Sequence, residues 1–287
     1  MNIKSPSTAL LAAFAVFTSA SSLNGAMVLL DNMNYGGGTI GSGVGDWVDG
    51  SNRLNYQGGI NVNYTGGSYV NDPNNAGTGS LERNSNIDNR FFERDYSDAG
   101  LTGEFWVSMV INTTGVGGDN AGEIIGLSLN TTGGLSSSAD ILGVAFDGTD
   151  FRAGWRDHSA VSTSYNAGAT LNLSNPLLLV ARVNIGAGDD SFDMWVFDSG
   201  ATFGTTQASL GAAHLSSSAA DFGDQLDRIQ VGGINGFQSN FDQIRISDLG
   251  GDNGLNEVLT LTAIPEPTSA VLGGLGAILL MMRRRRK

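Results

Sequence analysis

The sequence predicts an all-β protein, an antiparallel two-sheet sandwich, framed by a hydrophobic segment at each end. Three observations predict it. Apolar and polar residues alternate with a period of two along most of the chain, the signature of half-buried strands. Clusters of Gly, Asn, Asp and Ser recur between the alternating segments, where turns are needed. The 287 residues include 42 Gly, only 5 Pro and no Cys, so the fold depends on a hydrophobic core and not on disulfides.

The elements follow in chain order. A short basic start, Met1 to Lys4, precedes the apolar run Ala9 to Phe17 and the small residues Thr18 to Ser22, the layout of a secretory signal peptide. Cleavage is expected after Ala26, with Ala20 as the alternative, because Met27-Val28-Leu29-Leu30 then begins the mature chain as its first strand. Ile60, Val62 and Tyr64 alternate with Asn61 and Asn63. Phe105 to Ile111 and Leu177 to Val183 are continuous apolar runs, expected as central strands covered on both faces. Phe192, Met194 and Val196 share one strand face while Asp193, Trp195 and Phe197 share the other. Ile229 with Val231, and Ile244 with Ile246, repeat the alternation. Asp147-Gly148-Thr149-Asp150, Gly186 to Asp190 and Gly232-Gly233 supply turns. The one helical candidate is Ser216 to Gln225. No repeat of 20 to 50 residues is evident, which disfavours a propeller or solenoid.

The C-terminal end carries the most specific pattern. Pro265-Glu266-Pro267 leads into the uncharged stretch Thr268 to Met282, expected as a single transmembrane helix, and the chain closes on Arg283-Arg284-Arg285-Arg286-Lys287. By the positive-inside rule these cations form a cytoplasmic stop-transfer end. The combination resembles a PEP-CTERM sorting signal. That resemblance covers residues 264–287 and implies an exosortase-type membrane transpeptidase as partner and a precursor anchored in the inner membrane. It further implies cutting near Pro265-Glu266-Pro267 and delivery to the cell surface or extracellular space, often alongside exopolysaccharide.

Between the ends lies a body of residues 27–263. Removing Lys4, Arg283 to Arg286 and Lys287 from the 15 basic residues, and Glu266 from the 28 acidic ones, leaves nine arginines and 27 acids, a net −18 with no lysine. Such a body repels phosphate backbones and acidic polymers, so nucleic acid is excluded as a partner. Met27 to Tyr35, Phe105 to Ser108, Leu178 to Asn184 and Phe241 to Ser247, in that order, resemble the concanavalin A-like, laminin-G-type jelly rolls of exported bacterial proteins. This resemblance implies a two-sheet jelly roll with a concave face used for glycans and, in some members, for calcium.

No catalytic residue emerges from the sequence. Glycoside hydrolysis needs two carboxylates about 5–9.5 Å apart, and jelly-roll hydrolases that the body resembles carry a Glu-x-Asp-x-(x)-Glu array that is missing here. The body has five Glu, no two within five residues of each other, and Glu104 with Glu123 is the pair whose convergence would favour catalysis. Gly126-Leu127-Ser128-Leu129-Asn130 lacks the final Gly of a nucleophile elbow. Without Cys, and with only His158 and His214, zinc is disfavoured. Oxygen ligands suit calcium; Asp189, Asp190 and Asp193 form one candidate cluster, Asp46 and Asp49 form another, and Asp31 is a candidate donor in a terminal loop. Trp47, Tyr56 and Trp155, beside polar Gly-rich segments, are candidate stacking platforms for an extracellular polysaccharide. Trp106 and Trp195, inside apolar strands, are expected in the core. The expected function is that of an exported surface or matrix protein, structural or adhesive, with weak glycan binding; a secreted polysaccharide hydrolase or lyase is the alternative.

Overall fold

The computed structural model describes residues 27–31, 38–39, 47–48, 55–58, 62–73, 79–83, 90–95, 102–116, 120–129, 140–157, 162–186, 188, 190–220, 222, 228–234 and 237–261. The signal peptide, Pro265-Glu266-Pro267, the expected membrane helix and Arg283 to Arg286 lie outside the described residues. Among the described residues no helix is long and apolar enough to cross a membrane.

The strands are β1 (Met27–Asp31), β2 (Gly38–Thr39), β3 (Trp47–Val48), β4 (Asn55–Gly58), β5 (Gly79–Arg83), β6 (Arg90–Asp95), β7 (Gly103–Val116) and β8 (Ile124–Ser128). After them come β9 (Ile141–Phe146), β10 (Phe151–Asp157), β11 (Ser162–Tyr165), β12 (Leu177–Ile185), β13 (Asp190–Phe197), β14 (Leu215–Ala220), β15 (Arg228–Ile234) and β16 (Phe237–Ser247), followed by the helix α1 (Gly251–Thr260). They form two antiparallel sheets. The first runs β14-β13-β12-β7-β16-β5-β4-β2 with β1 also on β16; the second runs β11-β10-β9-β8-β15-β6-β3. This is an all-β sandwich, as the alternation predicts.

The core between the sheets follows from that alternation. Phe105, Val107, Met109 and Ile111 of β7, and Ala181, Val183, Phe192, Met194 and Val196 of β12 and β13, face Ile125, Leu127, Leu142, Val144, Ile229 and Val231 of the second sheet. The opposite face of the first sheet is apolar as well. Trp106, Val110, Leu178, Val180, Trp195 and Phe197 lie beneath Leu255, Val258 and Leu259 of α1, with Tyr64, Tyr69, Phe203 and Leu210 beside them. Two covered faces explain why β7 and β12 read as unbroken apolar runs. Trp106 and Trp195 are core residues, stacked at 6.0 Å between ring centres.

Strand β16 holds two partners on one edge. Ser239 to Phe241 pair with β5, Ile244 to Ser247 pair with β1, and β7 runs along the other edge. The change occurs at a bulge where the register against β7 shifts between Asp242 and Arg245 and Gln243 takes φ 50°. That left-handed conformation costs a non-glycine residue roughly 1–3 kcal/mol. Tertiary bonds offset it: Gln243 Nε2 donates to the Val62 carbonyl at 2.9 Å, and Gln243 Oε1 accepts from Asp72 N at 2.9 Å.

The helical expectation is corrected. Ser216 to Ala220 lie in the edge strand β14 on β13, and among the described residues the α-helix is α1. Ser217 and Ser216 oppose Phe192 and Asp193, and an unfilled sheet edge outcompetes the weak helical preference of a serine-rich segment. In α1 the buried Leu255, Val258 and Leu259 do stand at i, i+3 and i+4, a helical signature. The turn-like Gly-Gly-Asp-Asn-Gly before them obscures it.

Candidate functional site

The site lies on the outer face of the first sheet, just past the N-terminal end of α1. In β12 the inward residues are Ala181, Val183 and Ile185, so parity turns Arg182 and Asn184 outward. Arg182 stands opposite Asp193 on β13, and Asn184 stands between Glu104 on β7 and Ser191 on β13. Ser216 of β14 extends the row from Asp193. Together these side chains line an open cavity of about 470 Å³.

Its polar groups are ordered by one another. The Arg182 guanidinium is ion-paired to Asp193 Oδ2, and the Ser216 hydroxyl donates to Asp193 Oδ1 at 2.7 Å. Glu104 Oε1 accepts from the Gly251 amide at 2.7 Å, tying the cavity wall to the start of α1. A second depression of about 540 Å³ adjoins it at Asp193, walled by Gln207, Gly211 and Asp252. There Gln207 N donates to Asp252 Oδ1 at 2.7 Å, and Trp195, only 2% exposed, forms floor and not platform. A third cavity, about 380 Å³, opens beside His214, whose Nδ1 accepts from Val196 N at 3.1 Å. Burial pushes the His214 pKa below its ordinary value, so the ring is neutral at pH 7 with its proton on Nε2.

Several residues singled out in the sequence fall elsewhere. Trp155 points inward from β10, 9% exposed, with its ring edge-on to Phe192 at 5.3 Å; it is core, not a stacking platform. Trp47 and Tyr56 lie on β3 and β4, and their side chains are outside the described residues. The calcium cluster is also corrected. Asp190 and Asp193 lie on opposite faces of β13, and Asp189 is outside the described residues. The buried Asp190 carboxylate accepts from Gly186 N at 3.0 Å and Phe222 N at 2.7 Å, holding the hairpin to the segment after β14. Asp31 pairs with Arg94. Among the described residues no three Asp, Glu or His side chains converge on a metal position. Glu104 and Glu123 belong to different sheets, Glu123 being buried just before β8, so they do not form the hydrolase pair.

The sequence reading missed Arg182, Asn184 and Ser216. The signal was present: two polar residues at i and i+2 within an apolar run, facing an aspartate that shares its strand face with Trp195.

No family model matches the chain, and no curated protein matches it. Among solved structures it is similar to the cellulose-induced protein Cip1 at 13% identity, covering 77% of this chain and 97% of that one, with a TM-score of 0.44. It is similar to alginate lyase vAL-1 from Chlorella virus at 8% identity, covering 77% and 98%, with a TM-score of 0.41. The endo-1,3-beta-glucanase from Streptomyces sioyaensis matches at 12% identity, covering 79% and 98%, with a TM-score of 0.40. At these values no ligand or reaction is carried across, and the site stands on its own chemistry.

Proposed function

We propose that this chain is an exported cell-surface or extracellular-matrix protein whose jelly-roll body is structural and adhesive, and that the groove around Arg182 takes an uncharged, hydroxyl-rich glycan. The observation that carries the reading is the open row Glu104, Arg182, Asn184, Asp193 and Ser216. A guanidinium, an amide, carboxylates and hydroxyls in one cavity offer the donors and acceptors that sugar hydroxyls require. The net −18 of the body selects against acidic polysaccharides. With no exposed aromatic ring in the described part of the groove, affinity rests on hydrogen bonds and is weak.

Binding is favoured over catalysis because the groove's acids are already engaged: Asp193 by Arg182 and Ser216, Glu104 by the Gly251 amide. The terminal patterns support export. In this reading the leader directs translocation, the tail around Pro265-Glu266-Pro267 holds the precursor in the inner membrane, and an exosortase-type transpeptidase cuts there. A glycan array comparing neutral and acidic polysaccharides, with wild type beside Arg182→Ala, tests the groove. Neutral glycans retained by wild type and lost by the variant are expected; equal binding by both would sink the assignment. An intact tail on surface protein from a host with an exosortase would overturn the sorting part.

A further inference from the structure

Glu257 is a buried carboxylate with no counter-ion among the described residues. It sits on the inner side of α1, 2% exposed. Its Oε1 accepts from the backbone nitrogen of Met27 at 2.8 Å, and its Oε2 accepts a short bond from the Ser247 hydroxyl. Ser247 is fixed in turn, opposite Met27 in the β1–β16 ladder and accepting from Leu249 N at 3.2 Å. No arginine or histidine among the described residues reaches Glu257. Burying a carboxylate with only neutral partners is costly, because two hydrogen bonds replace hydration incompletely and nothing balances the charge.

The nitrogen that faces it has a second chemical form. Residue 27 is where the compact unit Met27–Thr262 begins, and the small residues before it mark the end of the expected leader. We infer that Glu257 is a receptor for the mature N-terminus: hydrolysis of the Ala26–Met27 bond converts an amide donor at Glu257 Oε1 into an α-ammonium that completes a buried ion pair. The inference rests on the reading of the chain as exported. A membrane signal peptidase and one water cleave the bond; Ala26 leaves with the new carboxylate, and the Met27 amine takes a proton from solvent. Near pH 7 an α-amine with an ordinary pKa of about 7.7–8.0 is mostly protonated, and a buried anion beside it favours the charged form further. Processing then does more than remove a leader. It supplies the missing cation and tightens β1, β16 and α1 around one carboxylate, so the cut chain is more stable than the uncut one.

The lysine-free body makes this directly measurable, because the Met27 α-amine is the only primary amine between residues 27 and 263. The full chain is exported with its own leader in a Gram-negative host, the processed protein is sequenced from its N-terminus, and an amine-selective ester is reacted with it natively and in urea. Peptide mapping separates any label on Lys287. Expected are Met27 as first residue and an α-amine labelled about tenfold or more slowly in the native protein than in urea, the scale of one charge-assisted bond. Glu257→Gln, where it folds, restores fast labelling; the native-to-urea comparison on wild type decides the matter where it does not. An N-terminus elsewhere, such as Ser21, overturns the inference while leaving export intact. Met27 labelled equally fast in both states overturns the pairing while leaving the cleavage site intact. A chain that stays uncleaved with Met1 retained overturns the export reading and this inference together.

Discussion

The Arg245 guanidinium lies 4.3 Å from the centre of the Tyr69 ring, with both side chains buried under the C-terminal end of α1. Arg245 Nη1 donates to the Val258 and Leu259 carbonyls at 3.0 and 3.2 Å, and Nη2 to the Val70 carbonyl at 2.7 Å and Gln243 Oε1 at 3.0 Å. One cation thus satisfies the last carbonyls of the helix, the 62–72 segment and the bulge. Burial pulls the Arg245 pKa below its ordinary value, opposed by Tyr69, Asp72 and Asp242.

Replacing Arg245 by Ala should cost about 3–5 kcal/mol, the scale of breaking a buried charged network by removing one partner. Urea unfolding checks it. Arg245→Lys should rescue little, because an ammonium cannot reach carbonyls on three segments from one plane. Near-complete rescue by Lys would show that charge alone matters there.

Gly126 and Gly143 face each other across β8 and β9, and a Cβ on either would collide with the backbone carbonyl of the other strand. Alanine at either position should destabilise the sandwich by about 1–3 kcal/mol, as overpacking does. Gly186→Ala, where a Cβ meets nothing within 4 Å, is the control and should be near neutral. Thermal melts of the three variants measure the contrast.

Gly254→Ala sets two effects against each other. Helix propensity favours alanine by about 1 kcal/mol, but the new Cβ would lie 2.7 Å from Trp106 Cδ1 and against the Leu249 carbonyl. With rigid groups on both sides, the steric term should win and the variant should melt lower. A variant that melts higher would mean α1 can lift from the sheet at little cost.

Asp147 accepts from Thr149 N and Asp150 N, both at 2.8 Å, and pairs with Arg152. These bonds, the Asp150 amide first, lower its pKa to about 2. Since the folded pKa lies below the unfolded value of about 3.9, its contribution is complete above pH 4 and fades as pH falls toward 2. Asp147→Asn should therefore lower stability at pH 6 and flatten the pH dependence between 4 and 2, read by denaturant titration at each pH.

Much of the sandwich was legible because burial on one or both faces writes itself as alternation or as a continuous run. Phe105 to Ile111 announced two covered faces, but not that α1 covers the outer one, since the helix signature of Leu255, Val258 and Leu259 sits behind a glycine-rich turn. Trp155 was misread for a related reason: its neighbours in sequence are polar and glycine-rich, whereas its neighbours in space are Phe192 and the inner sheet. The groove is written across four strands, Asn184 against Glu104, Arg182 against Asp193 and Asp193 against Ser216, and cross-strand register is not a property of any one segment. Asp189, Asp190 and Asp193 look like a cluster along the chain, yet strand parity places Asp190 and Asp193 on opposite sides of the sheet.

The meeting of Met27 with Glu257 also has a mechanical meaning. Met27 N and Leu261 N both donate to Glu257, so the first and last described residues of the body meet at one residue, and a force applied at Leu261 would act there and on α1 before it reached the strands of the sandwich. Tension would first peel α1 from the sheet, one contact at a time, against the Arg245 clamp. Peeling would also break the bond from the Gly251 amide to Glu104 and uncover Trp195, so the groove on β7, β12 and β13 would loosen together with the helix.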